Sequence, residues 1–145
     1  MTADKFTPND IDLNTILIIS QDADMARVLK MLFEQRNCQV VNESASHDGL
    51  MSSRLLSPTL IILDMDMPED ERLGLCKELR STTNGTLLLL NSDYKAINVM
   101  EYHRVGVDET IASSISPMAL LIKSLAWLAR QDWLVPRRQS TQVWG

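Results

Sequence analysis

A chain of 145 residues is the length of one domain, and folding at that length buries roughly 68–70% of the unfolded surface, enough for a core without disulfide or metal staples. The composition, 45% hydrophobic and 23% charged, excludes a disordered or collagen-like chain, and the longest apolar run falls far short of the roughly 18 residues that mark a membrane span. With 14 basic and 19 acidic residues the net charge is −5, which disfavours nucleic-acid binding because that rests on neutralising phosphates.

Residues 1–14 form a polar, acidic lead-in broken by Pro8 and Asn9. It has no apolar signal core, so the expected location is cytoplasmic. Ile16–Ile19 is a short, fully apolar, β-branched run that suits a strand covered on both faces. After the polar cluster Ser20–Asp24, the residues Met25, Val28, Leu29, Leu32 and Phe33 recur at helical spacing, with Asp22 or Asp24 placed to cap the start. Cys38–Val41 is a brief second strand, and a weaker helix over Asp48–Leu56 stops at Ser57-Pro58. Leu60–Leu63 is a third strand that ends abruptly at Asp64, followed by a loop and a short helix carrying Leu75, Cys76 and Leu79. Leu87–Leu90 is a fourth strand. A helix begins around Ala96 and ends near Gly106, and Thr110–Ala112 is a short fifth strand. Ser116 caps a long last helix with Pro117 in its first turn, and Pro136 is expected to close it.

Five strands alternating with five helices predict an α/β fold, a doubly wound five-stranded parallel sheet with helices on both faces. Right-handed crossovers and the chain length favour the flavodoxin-like strand order 2-1-3-4-5. Residues 15–133 are the expected domain and 134–145 the expected C-terminal tail. Ligands of such sheets bind beyond the carboxyl ends of the strands, where the order reverses between strands 1 and 3. That rule selects two loops, Ser20–Asp24 and Asp64–Glu71.

Asp64 stands at the mouth of the sheet, with Asp66, Asp22 and Asp24 near it in these loops and Glu69, Asp70 and Glu71 further along. Gathered carboxylates can hold a hard cation such as Mg²⁺, and a carboxylate beside one can attack a phosphoryl group. The competing expectation is a polar loop whose acids face water. Cys38 and Cys76 have no metal-ligand spacing and are expected to be buried, reduced thiols. His47 and His103 are isolated and expected on helix surfaces. There is no Gly-rich phosphate loop and no G-x-S-x-G, so an enzyme of the hydrolase or dehydrogenase kind is not expected.

The stretch Leu60-Ile61-Ile62-Leu63-Asp64-Met65-Asp66-Met67-Pro68, followed by Leu75–Arg80, resembles the phosphoacceptor strand and loop of response-regulator receiver domains. The resemblance runs from Thr15 to about Val40 and from Pro58 to Arg80, and returns at Gly106–Glu109 and Ser116-Pro117, so that it covers roughly residues 15–130. It implies that Asp64 accepts a phosphoryl group from a histidine kinase. It also implies Mg²⁺ held by an acidic pair after strand 1, with a hydroxyl ending strand 4 and a lysine ending strand 5 on the phosphoryl oxygens.

The chain departs from that pattern nearly everywhere except Asp64. The acidic pair falls on Ser20 and Gln21, the hydroxyl on Asn91 with Ser92 beside it, the lysine on Ser113, and the aromatic switch of strand 5 on Thr110. The glycine of the loop after strand 3 falls on Arg72. These losses predict a degenerate receiver that acts by protein–protein interaction with weak or no phosphotransfer, so Mg²⁺ is a doubtful cofactor. The alternative is a working phosphoacceptor in which Asp22 and Asp66 join Asp64 around the metal. The resemblance implies partners as well: a histidine kinase or a downstream effector, and a second copy meeting the face of helix 4, strand 5 and helix 5. Trp127 and Trp133 on the last helix are candidates for a partner surface, although Trp127 is expected first in core packing. With no output domain after residue 145, the expectation is a stand-alone domain that binds neither nucleic acid nor membrane.

Overall fold

The computed structural model describes residues 13–92 and 98–144, and for residues 132–144 the backbone alone. The elements in chain order are β1 (Thr15–Ser20), α1 (Ala23–Glu34), β2 (Gln39–Glu43), α2 (Ser46–Leu56) and β3 (Leu60–Asp64). They continue with α3 (Glu69–Arg80), β4 (Thr86–Asn91), α4 (Val99–Arg104), β5 (Glu109–Ala112) and α5 (Pro117–Trp144). All strand pairs are parallel and the sheet order is β2-β1-β3-β4-β5, the order expected.

The apolar runs become the three central strands because both of their faces are covered. Ile16, Ile18, Leu60, Ile62, Leu88 and Leu90 point to one side and pack with Leu29 and Phe33 of α1 and with Leu120, Leu121 and Leu128 of α5. The intervening residues Leu17, Ile19, Ile61, Leu63, Leu87 and Leu89 point to the other and meet Leu50, Leu75, Leu79 and Tyr102. Alternation along each strand therefore feeds two separate cores. The outer strands are mixed. In β2, Val40 is buried while Gln39 and Asn42 are exposed, and β5 buries Ile111 alone.

Caps set the helix starts. Asp22 Oδ1 accepts from Met25 N–H at 3.0 Å, Asn98 Oδ1 from Glu101 N–H at 3.2 Å, and Ser116 Oγ from Ala119 N–H at 3.1 Å. Gly106, with φ +107°, turns the chain from α4 into β5 in a conformation that a side chain strains. Cys38 and Cys76 are buried free thiols, while His47 and His103 lie exposed on helices.

The expected end of the last helix fails. The last helix does not close at Pro136 but runs to Trp144, through most of the stretch expected as a tail. Proline's fixed φ is itself helical, so its interior cost is a missing hydrogen bond and a clash with the preceding turn, about 3 kcal/mol. A helix already docked along Leu120, Leu121, Ser124 and Leu128 continues past that penalty. The lead-in over 1–12 and the helix start at Ala96-Ile97 lie outside the described residues, as does the Trp133 side chain.

No helix among the described residues is long and apolar enough to cross a membrane. Phe33 is fully buried between α1 and the sheet. Phe33→Ala is expected to lower unfolding free energy by about 3–5 kcal/mol, read from the urea midpoint at unchanged slope.

Candidate functional site

Register brings Ser20 and Asp64 side by side at the carboxyl edge, where β1 pairs with β3. The Ser20 hydroxyl donates to Asp64 Oδ2 at 3.2 Å and accepts from Asp22 N–H at 3.0 Å. Gln21 N–H donates to the Asp64 carbonyl at 3.3 Å, and Gln21 Oε1 accepts from Asp66 N–H at 3.1 Å. The two neutral residues at the expected acidic-pair positions thus tie the loop after β1 to the loop after β3. Asp22 is the N-cap of α1, which gives one carboxylate oxygen a structural partner. Glu69, Asp70 and Glu71 occupy the first turn of α3, where negative charge complements the helix dipole.

Asp64 is half-buried, and burial raises its carboxyl above the ordinary 3.8. The Ser20 hydrogen bond opposes that rise and the nearby Asp22 charge adds to it. Asp64 opens into a cleft of about 260 Å³ that Gln21, Asp22, Asp66, Arg72 and Ser92 also line. The fold therefore places Gln21, Asp22, Asp64 and Asp66 around one cleft, with Ser20 bonded to Asp64. Asn91, Thr110 and Ser113 do not line the cleft. Ser92 does, one residue beyond the expected hydroxyl position. Ser113 N–H donates to the Asn91 carbonyl at 3.0 Å and fastens the end of β5 to β4. Thr110 instead borders a separate hollow of about 190 Å³ with Val99, His103 and Glu109, between α4 and β5.

Arg72 is the residue that sequence reasoning missed. The family pattern marks its position only as a lost glycine, yet it shares the buried face of α3 with Leu75, Cys76 and Leu79. That three–four–seven spacing was the available signal. Its Nε–H donates to the Tyr102 hydroxyl at 3.0 Å, and an Nη2–H donates to Asn91 Oδ1 at 3.4 Å. The lysine position falls on Ser113, which does not line the cleft, but a core-anchored guanidinium borders it. Burial pushes the neighbouring Cys76 thiol up to about 12, against the opposing Arg72 charge, so the thiol stays protonated and unreactive.

Mg²⁺ requires several hard oxygen ligands in near-octahedral array. The cleft offers Asp64, engaged by Ser20, together with a helix-capping Asp22, Asp66, and neutral Ser20 and Gln21. Among the described residues no group of three or more Asp, Glu, His or Cys side chains is placed to hold a metal ion. This donor set does not fit the ion.

Trp127 lies elsewhere, half-buried against the α1–α5 core face. Its Nε1–H donates to Glu109 Oε1 at 2.8 Å, Lys123 Nζ donates to Glu109 Oε2 at 2.8 Å, and Arg130 stacks 4.2 Å from the indole. Burial tends to raise the Glu109 carboxyl, but these two hydrogen bonds and the Lys123 and Arg130 charges outweigh it and leave the group below its ordinary range.

Fold and site together define a receiver architecture with Asp64 at the switch point of the sheet. The family described as the response regulator receiver domain matches residues 16–124, and the chain belongs to that family, whose members serve two-component signalling. It is similar to the "Probable transcriptional regulator ycf27" of Pyropia yezoensis, 25% identical over 117 residues that cover 81% of this chain and 48% of that protein. It is also similar to the transcriptional regulatory protein CpxR of Klebsiella pneumoniae, 26% identical over 133 residues, 90% of this chain and 56% of that protein. The chain thus spans about half the length of the curated relatives it matches. Among solved structures, the CheY-like receiver domain protein of Methanospirillum hungatei superposes with a TM-score of 0.74 at 21% identity, covering 83% of this chain and 97% of that one.

The raised carboxyl of Asp64 has a consequence for stability. Between the unfolded and folded values the folded state binds the extra proton, so stability falls as pH rises through that window. Below the ordinary 3.8 both states are protonated and the difference is gone. Asp64→Asn is therefore expected to be more stable than the parent at pH about 7, with the gap closing toward acid, read as urea midpoints across pH.

Proposed function

We propose that this receiver domain acts in two-component signalling as a protein-interaction module with weak or no phosphotransfer at Asp64. The observation that carries the reading is the state of the acidic-pair positions. Ser20 and Gln21 are neutral and hydrogen-bonded to Asp64 and to the Asp66 amide, so the two anionic side chains expected at these positions to hold a divalent cation are missing. Phosphoryl transfer depends on neutralising charge on the transferring oxygens and on positioning them. With the Asp22, Asp64 and Asp66 carboxylates lining the cleft but no three of them grouped to hold a metal among the described residues, the first requirement is poorly met.

Receiver domains engage kinases and effectors, and the partner proposed for this chain is a histidine kinase or a downstream effector. The docking surface is the face of α4, β5 and α5, on which Trp127 lies. Its support is the exposed apolar side chains Val99 and Met100 on α4 and Met118 and Ile122 on α5. The same face accommodates a second copy. A cytoplasmic location belongs to the same proposal.

A second reading, phosphorylation at Asp64, is favoured by one observation: Arg72 brings a cation to the cleft. Incubation with acetyl phosphate and Mg²⁺ followed at once by intact mass separates the two. The expected result is no mass gain on the folded parent. A gain of one phosphoryl group on the parent, absent from Asp64→Asn, would replace the first reading with the second.

A further inference from the structure

Parallel strands make α2 and α3 run side by side, both from the carboxyl edge of the sheet toward the amino edge. Between them lies an open groove of about 480 Å³. Its floor is apolar: Leu50 and Leu75 are buried and Met67 half-buried. The α2 rim carries Ser46 and His47, and the α3 rim carries the exposed acids Glu71 and Glu78. Arg54 reaches across from α2 to Glu78 at 3.6 Å, an exposed pair of little strength. Among the described residues no Lys or Arg lies within 4.0 Å of Glu71. Along α2 the apolar surface continues through Met51, 43% exposed, and Leu55, 83% exposed.

Gly74 stands between the two acids on the α3 rim, inside a helix of 12 residues. A glycine there weakens a helix relative to alanine. The other glycines of the described residues have reasons within the chain. A Cβ at Gly49 would sit 2.6 Å from Ile19 Cδ1, one at Gly85 would strike the Pro58 carbonyl, and Gly106 has φ +107°. A Cβ at Gly74 would meet nothing within 4 Å. Nothing in the fold requires the missing side chain. Its effect is to leave the groove unfilled and the α3 backbone open to close approach.

Glu71, Gly74, Leu75 and Glu78 follow the three–four–seven spacing of one helix face, acidic at both ends and bare between them. An apolar groove between two helices suits the apolar stripe of a third, and methionines at its edge adapt to what fills it. Charge selects the occupant. The acidic rim attracts cations, whereas a second copy of this chain brings a net charge of −5. We propose that the groove between α2 and α3 is a docking site for a basic amphipathic helix of a partner protein. Its apolar stripe seats on Leu50, Met67 and Leu75 over Gly74, and its cations meet Glu71 and Glu78. The inference goes beyond the function proposed above and uses another surface, because α2 and α3 cover the side of the sheet away from α5.

The test uses the full chain, labelled with ¹⁵N, and two synthetic helices of about five turns. Both carry leucine at three–four spacing; the remaining positions are lysine in one and glutamate in the other. Saturable binding of the lysine helix is expected, weaker at high salt, with shifts concentrated on the α2 and α3 amides. The glutamate helix should bind about tenfold or more weakly. Gly74→Leu should raise the urea midpoint, because leucine is the better helix former, yet weaken binding about tenfold or more by filling the groove. Glu71→Gln should weaken binding about threefold. Ile122→Ala, on α5, should leave it unchanged. Sedimentation of the parent and of Gly74→Leu tests for a second copy. None of these readouts bears on phosphotransfer or on the α4, β5 and α5 face.

Absence of saturable binding to the folded parent overturns the inference. So do equal affinities for the two helices, shifts centred outside α2 and α3, or full binding by a folded Gly74→Leu. A parent that dimerises while Gly74→Leu stays monomeric assigns the groove to a second copy and overturns it as well. If Gly74→Leu does not fold, Glu71→Gln and the map of shifts decide, and unchanged affinity in Glu71→Gln then counts against it.

Discussion

Three central strands buried on both faces are the constraint on which the rest of this structure depends. From Ile16 to Ile19, Leu60 to Leu63 and Leu87 to Leu90 there is no polar side chain, because each residue belongs to one of two cores. Polar chemistry can begin only where those runs stop. They stop at Ser20, Asp64 and Asn91, which all lie at the carboxyl edge of the sheet. The position of the cleft follows from the lengths of three apolar runs, and its contents follow from the first residues beyond them.

At that edge the replaced residues are knitted into the loops. Ser20 and Gln21 surrender the charge expected of an acidic pair and take up hydrogen bonds to Asp64 and to the Asp66 amide. Arg72 enters from α3 through a position where the family pattern has a glycine. It belongs to the core by its place on the helix and to the cleft by its guanidinium. Positive charge at the cleft thus comes from a side chain locked by Tyr102 and Asn91 rather than from the end of β5, where Ser113 offers only its backbone amide to β4.

Much of this was legible in the sequence. Continuous apolar runs marked the covered strands, helical spacing marked α1 and α5, and the alternation of elements gave the strand order. Asp22 and Ser116 stood where caps belong, and both cap. The outer elements were less legible for physical reasons. The second strand extends to Glu43 rather than Val41 because the polar residues of an edge strand look like a turn. Pro136 looked like a stop because the docking of the preceding turns was invisible. Arg72 was overlooked because a charged residue is counted as surface by default, although its spacing from Leu75, Cys76 and Leu79 placed it on the buried side. Its partner Tyr102 is far away in sequence, so no local pattern connected the two.

The edges of the sheet carry a consequence for recognition. An exposed strand edge invites another chain to extend the ladder, and short or charged edges discourage this. Here β5 is four residues long, and α5 lays Lys123 and Trp127 against Glu109 at its first position. At the opposite edge β2 presents the exposed polar residues Gln39 and Asn42. Neither side offers a long, bare backbone template. A visiting chain gains little from strand addition, so selectivity falls to side chains displayed by helices, and backbone-templated aggregation is discouraged by the same features.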